Sequence, residues 1–267
     1  KFRHLFELDK IVLVGCGTAN HASMVGEYYF NHFTNKEVST ELASELRYKK
    51  INKNKQILFI FISQSGETMD TLMALKYVKK MNHKSIVITN SLESSMVREA
   101  EVTIPTYAQK EVGVASTKAF TCQLLSLANL ALEVGRMEKT ISNQIYKMNI
   151  GLLAKLPSKI EKLIKEFTPS AKIISKKLAQ ANACYFIGRN IGYPIAEIEA
   201  NGNFTVTKHP GTTGLVSVGT IKAQLLYEIG DPAYKNPDVI GHFDTLSIEQ
   251  VGDDRVHVSG CKGSCPP

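Results

Sequence analysis

Three hydroxyls, one amide and one glycine stand in a row at Ser63, Gln64, Ser65, Gly66, Glu67 and Thr68, with no lysine or arginine among them. The hexapeptide follows the apolar run Ile57 to Ile62 directly, so it sits where a buried strand turns into a helix. Such a turn offers unpaired backbone N–H groups and the positive end of a helix dipole to an anion. The Ser63, Ser65 and Thr68 hydroxyls and the Gln64 amide can add hydrogen bonds to the same anion. Gly66 lets the backbone approach a ligand closely or take a positive φ. Without a lysine nothing would reach the outer phosphates of a nucleoside triphosphate, so a single phosphate monoester fits better. The same six residues also fit an ordinary serine-rich capping loop.

Two further stretches carry similar chemistry. "GCGTAN", Gly15 to Asn20, follows the apolar run "KIVLVG" and has the outline of a dinucleotide fingerprint. Asn20 occupies its third glycine position, and no acidic residue follows near residue 40 in the expected context. No cofactor is therefore expected. Cys16, between two glycines, is a candidate nucleophile or a small wall residue of a binding site. "GVASTKAF", Gly113 to Phe120, again sets small residues and hydroxyls ahead of a long helical pattern. Three such loops in one unit can converge on one ligand.

The elements that must hold these loops alternate in kind. "KIVLVG", "QILFIFIS" and "KSIVITN" are short continuous apolar runs, as in strands covered on both faces. Each leads into a helical pattern: "TANHASMVGEYYFNHF" after Thr18, a hydroxyl placed to cap it, then "ETMDTLMALKYVKKM" and "SSMVREA". The order predicts an α/β fold, a parallel sheet flanked by helices in three layers, with ligands beyond the carboxyl ends of the strands. "STKAFTCQLLSLANLALEVGR" and the stretch from Ile141 to Gln180 read as long amphipathic helices serving as core and connector. "ACYFIG", residues 183–188, reads as the first strand of a second unit.

Composition narrows the partners. At 267 residues, 43% hydrophobic and 21% charged, the chain is that of a globular protein with one large or two ordinary domains. No apolar run approaches the ~20 residues of a membrane span, and "KFRHLFELDK" is too charged for a signal peptide. Five scattered cysteines without an export signal predict a reducing cytoplasm. Cys261 and Cys265 in "CKGSC" lack a second pair, so no metal site is expected. The net charge of +7 raises the possibility of nucleic acid, but the lysine runs lack interleaved aromatics, and a solvated basic face is the reading adopted. Neither nucleic acid nor a membrane is an expected partner.

"GCGTANHA", "ELASELRY", "SQSGET", "GVASTKAF" and "LPSKIEKLI" occur in the order and approximate spacing seen in the isomerase half of the glutamine–fructose-6-phosphate aminotransferase family. Over residues 8–196 the chain resembles this family. The resemblance implies sugar isomerase (SIS) domains, a homodimer, and conversion of fructose 6-phosphate and ammonia into glucosamine 6-phosphate. It also implies sugar-phosphate contacts from Cys16, Gly17, Thr18, Ser63, Gln64, Ser65, Thr68, Val114 and Ser116. Ala19 stands where that family usually has serine. The family's glutaminase domain is not among these residues, and its proton-transfer residues lie in a segment that does not match after "YPIA", Tyr193 to Ala196.

Beyond that point the chain changes character. Residues 1–196 carry 27 Lys and Arg against 16 Asp and Glu, whereas residues 197–267 carry 5 against 9 and hold half of the 18 glycines. "TKHPGTTGLVSVGTIKAQLLYEIGDPAYKNPDV" makes residues 204–267 similar to the acyclic terpene utilisation family. From its residues alone this tail predicts a Gly-Thr loop, a helix from Thr220 to Ile229, and a strand pair within "FDTLSIEQVGDDRVHVSG" joined through Gly252 and Asp253. The expected domains are 1–140, a first SIS domain; 141–196, a helical connector and the start of a second; and 197–267, an unrelated Gly/Pro-rich acidic tail. Glu197 and Glu199 are two apart and would not face one site on a helix, and His209 lies in a loop, so no catalytic residue is assigned. Three functional classes follow: part of an aminotransferase of the isomerising type, a non-catalytic sugar-phosphate-binding regulatory module, or a terpene-pathway protein defined by the tail.

Overall fold

The computed structural model describes residues 10–109, 117–178 and 188–196, with Leu5 and Leu8 and the backbone of 245–250 and 256–261. The chain divides into two compact units, Lys1–Phe167 and Thr168–Pro267. In the first, strands β1 (Lys10–Gly15), β2 (Glu37–Leu42), β3 (Ile57–Ser63), β4 (Lys84–Thr89) and β5 (Val102–Pro105) form one sheet in the order β2-β1-β3-β4-β5. Every neighbouring pair is parallel. Helices α1 (Thr18–Phe33), α2 (Ala43–Leu46), α3 (Met69–Lys80), α4 (Ser95–Glu99) and α5 (Thr117–Glu138) flank it. The predicted α/β class is the fold observed.

The apolar runs conceal a strict alternation, because successive strand side chains point to opposite faces. Leu13, Ile60 and Ile88 share one buried cluster with Ala22, Phe30 and Leu127 of α1 and α5. Val14, Phe61 and Val87 share the other with Ala43, Leu75 and Met96 of α2, α3 and α4. A parallel strand buried on both sides reads as continuously apolar, so the faces separate only once the helices are in place. Strands β2 and β5 are absent from the sequence reading. The edge strand β2, "EVSTEL", is polar and partly exposed, and β5 has four residues.

Two local expectations are corrected. Thr18 does not cap α1, because it is already the first helical residue. The N-cap is Gly17, at φ 53°, without a side-chain cap bond. Helices α6 (Asn143–Ala154) and α7 (Leu156–Leu178) match the predicted amphipathic stretch, but no residue of α6 is buried. Leu163 and Phe167 of α7 are likewise exposed, so α6 and α7 as far as Phe167 add no buried residue to the core of the first unit. The boundary between the units falls within α7, just before Pro169.

In the second unit, β6 (Thr245–Gln250) pairs antiparallel with β7 (Val256–Cys261), with Thr245 opposite Cys261 and Gln250 opposite Val256. This is the expected strand pair. The predicted joint at Gly252 and Asp253, the helix at 220–229, the Gly-Thr loop and most of the "ACYFIG" strand lie outside the described residues.

His83 enters β4 from the end of α3, buried at 7% exposure, with its ring 5.5 Å from that of Phe59. Burial lowers its pKa, since the charged imidazolium loses its hydration. Below the ordinary histidine value of about 6.5 the unfolded chain takes up a proton that the folded chain resists. Stability is therefore expected to fall as pH drops through about 6.5, and to level off below the depressed folded value. In His83→Gln that part of the decline should disappear when melting temperatures are compared at pH 7.5 and 5.5. Parallel declines in the two proteins would exonerate His83.

Candidate functional site

The chain runs from β1 outward to β2, then returns past β1 to β3, so the connections leaving β1 and β3 diverge. A crevice opens at such a switch point beyond the carboxyl ends of the strands. Here it is a cavity of about 160 Å³. Cys16, Thr18 and Ala19 line it from the β1–α1 turn, and Ile62, Ser63, Gln64, Ser65 and Thr68 from the end of β3 and the loop into α3. Thr71, one turn into α3, and Gln123, on α5, complete the lining.

The β3–α3 loop is held by its own hydroxyls and by neighbouring strands and helices. Ser63, 2% exposed, accepts a hydrogen bond on Oγ from the Gly66 N–H at 3.0 Å and lies 3.3 Å from the Thr68 hydroxyl. Its hydroxyl therefore shapes the loop as well as lining the cavity. Ser65 Oγ accepts from the Glu67 N–H. The Gln64 carbonyl accepts from the Thr89 hydroxyl and the Asn90 N–H at the end of β4. The Met96 N–H donates to the Gly66 carbonyl.

Glu67, the only charged residue of the hexapeptide, is turned to another task. Its Oε1 accepts from the Ser95 N–H at 2.6 Å and so caps α4 from across the fold. Hydrogen bonds from the backbone and then the side chain of Ser95 hold its carboxyl below the usual glutamate range. The cavity itself is lined by no charged side chain among the described residues. Helix α3 starts at Met69 with Thr68 as its N-cap, and like α1 it has no side-chain cap bond. Two helix N-termini thus serve the same crevice with neutral donors, an arrangement suited to an anion.

Of the residues singled out from the sequence, Cys16, Thr18, Ser63, Gln64, Ser65 and Thr68 come together around this cavity, and Gly17 lies in the turn between two of them. Cys16 is a half-buried free thiol. Val114 and Ser116 fall outside the described residues. Thr71 and Gln123 were missed: both lie inside helical patterns, where nothing local separates a cavity-facing polar residue from a surface one. Among the described residues no cluster of three or more His, Cys, Asp or Glu could hold a metal ion, and no helix is long and apolar enough to cross a membrane.

The model of one family, described as the SIS domain, matches residues 4–133, the span that contains both cavity-forming loops. Over these residues the chain is similar to the SIS domain. A curated glutamine–fructose-6-phosphate aminotransferase from Rhizobium leguminosarum bv. viciae is 36% identical to this chain over 189 residues, 71% of this chain and 31% of the relative. Its counterpart from Tropheryma whipplei is 39% identical over 192 residues, 72% of this chain and 31% of the relative. The chain thus spans about a third of the length of these relatives. A solved structure of the C-terminal domain of glucosamine-fructose-6-phosphate aminotransferase from Francisella tularensis superposes with a TM-score of 0.71 at 36% identity, covering 74% of this chain and 56% of that one. Residues 185–267 match the model described as acyclic terpene utilisation family protein AtuA, beginning ahead of the residue 204 expected from the sequence. The SIS-like and AtuA-like segments therefore do not overlap.

Proposed function

We propose that the SIS domain binds the phosphate of a hexose 6-phosphate, fructose 6-phosphate or glucosamine 6-phosphate, as the sugar-isomerase part of a protein of the glutamine–fructose-6-phosphate aminotransferase type. The observation that carries this reading is the donor-lined cavity at the β1/β3 switch point, without a charged side chain among its described residues and fed by two helix N-termini without side-chain caps. Cys16, Gly17, Thr18, Ser63, Gln64, Ser65 and Thr68 are the proposed contacts, with Val114 and Ser116 joining them by family resemblance. The same resemblance supports a homodimer, a cytoplasmic setting and a division into an SIS domain to residue 140, a connector to 196 and a separate tail.

Ser65 and Thr68 are exposed at the cavity, so their hydroxyls are available to a phosphate oxygen. A hydrogen bond to a charged group contributes about 1.5–3 kcal/mol. Calorimetric titration with fructose 6-phosphate should show each of Ser65→Ala and Thr68→Ala weakening binding by about tenfold or more. Unchanged affinity in both variants would remove the basis for the site.

A further inference from the structure

Gln123 is 2% exposed and Thr71 1%, yet Gln123 Oε1 and Thr71 Oγ1 have no hydrogen-bond partner among the described residues. Both line the switch-point cavity. Leaving a polar atom buried and unpaired disfavours the folded state, and a native protein that retains such atoms in a cavity wall has a partner for them elsewhere. The two residues reach the cavity from different helices. Thr71 belongs to the first turn of α3, the N-terminus that faces the proposed phosphate. Gln123 comes from α5, which packs on the other face of the sheet beside α1.

The chemistry of the amide sets what Gln123 can take. A phosphate dianion presents acceptors only, so an amide oxygen gains nothing from it and would be repelled. An amide offers both an acceptor and donors, which matches a hydroxyl or amino group carried on carbon. We infer that Gln123 is a specificity-determining residue that hydrogen-bonds the hydroxyl- or amino-bearing part of the ligand, while the β3–α3 loop and Thr71 hold its phosphate. This inference rests on the proposed sugar-phosphate reading and extends it from the phosphate to the sugar.

Gln123→Met keeps the side chain's length and removes its polar atoms. In the whole 267-residue chain without ligand, its melting temperature should be equal to or above that of the unsubstituted protein, because the buried unpaired oxygen is gone. Affinity for fructose 6-phosphate should fall about tenfold, whereas inorganic phosphate, titrated by competition against it, should bind as before. Ser65→Ala provides the contrast, weakening both ligands together. If Gln123→Met weakens both ligands equally, leaves both unchanged or fails to fold, Gln123 is not the sugar-reading residue. If the unsubstituted chain binds inorganic phosphate but not fructose 6-phosphate, the sugar-phosphate reading itself fails, and the inference with it. Thr71→Val gives a second check: it should weaken both ligands, and a loss confined to fructose 6-phosphate would overturn the division of roles.

Discussion

Gly66→Ala is expected to cost about 2–5 kcal/mol of stability and to lower sugar-phosphate affinity by about 100-fold. Gly66 has a φ of 65°, and a Cβ built there meets Ser94 Oγ at 2.1 Å and Ser94 Cβ at 2.5 Å. The left-handed backbone alone costs an L-residue roughly 1–2 kcal/mol. Overpacking a closed site adds about 1–3 kcal/mol. Ser94 cannot swing aside cheaply, since it is 2% exposed and its hydroxyl donates to the Ser91 carbonyl. Displacing Gly66 also breaks its N–H bond to Ser63 and its carbonyl's bond from Met96, so Ser65 and Thr68 leave their positions together. Loss of two hydrogen bonds to a charged group, about 3 kcal/mol in all, corresponds to roughly 100-fold in affinity. Chemical denaturation of Gly66→Ala and of Gly66→Ala/Ser94→Gly separates the two causes. The second substitution should restore the steric part and leave the backbone part. A single variant as stable as the unsubstituted protein would show that the loop does not require glycine.

The purified chain is expected to bind fructose 6-phosphate yet to interconvert it with glucose 6-phosphate, or aminate it with added ammonia, at a rate ~10²–10⁴ below that of a glutamine–fructose-6-phosphate aminotransferase for each acid–base function not supplied to the sugar. Moving a proton between C1 and C2 of an aldose–ketose pair requires a group that titrates near neutrality, usually a carboxylate or imidazole. The described cavity lining consists of hydroxyls, amides, a thiol and apolar groups. The one carboxylate in the loop, Glu67, is held ionised against Ser95 at the start of α4. The expected outcome is therefore binding without matching turnover. Coupled assays of glucose 6-phosphate and glucosamine 6-phosphate formation decide the matter. Synthase-like turnover would mean that a base reaches the sugar from elsewhere, and Glu197, Glu199 and His209 would be the first substitutions to make.

The local chemistry of this protein is legible in its sequence, because it depends on neighbours along the chain. Continuous apolar runs mark β1, β3 and β4 since a strand covered on both faces needs no polar side, and a small, hydroxyl-rich stretch after such a run marks a helix-start anion loop. The position of the Ser63–Thr68 loop and the parallel α/β class follow from that alone. What joins residues far apart in the chain does not. Which apolar residues face α1 and α5 and which face α3 depends on where the helices pack. The polar edge strand β2 is a strand because β1 supplies its hydrogen bonds. Glu67 has no assigned role in the hexapeptide and becomes a cap only because α4 begins 28 residues later beside it. Gln123 looks like any polar residue of an amphipathic helix; its place in the cavity wall is set by the packing of α5 against the sheet, across more than 50 residues of chain from the loop it faces.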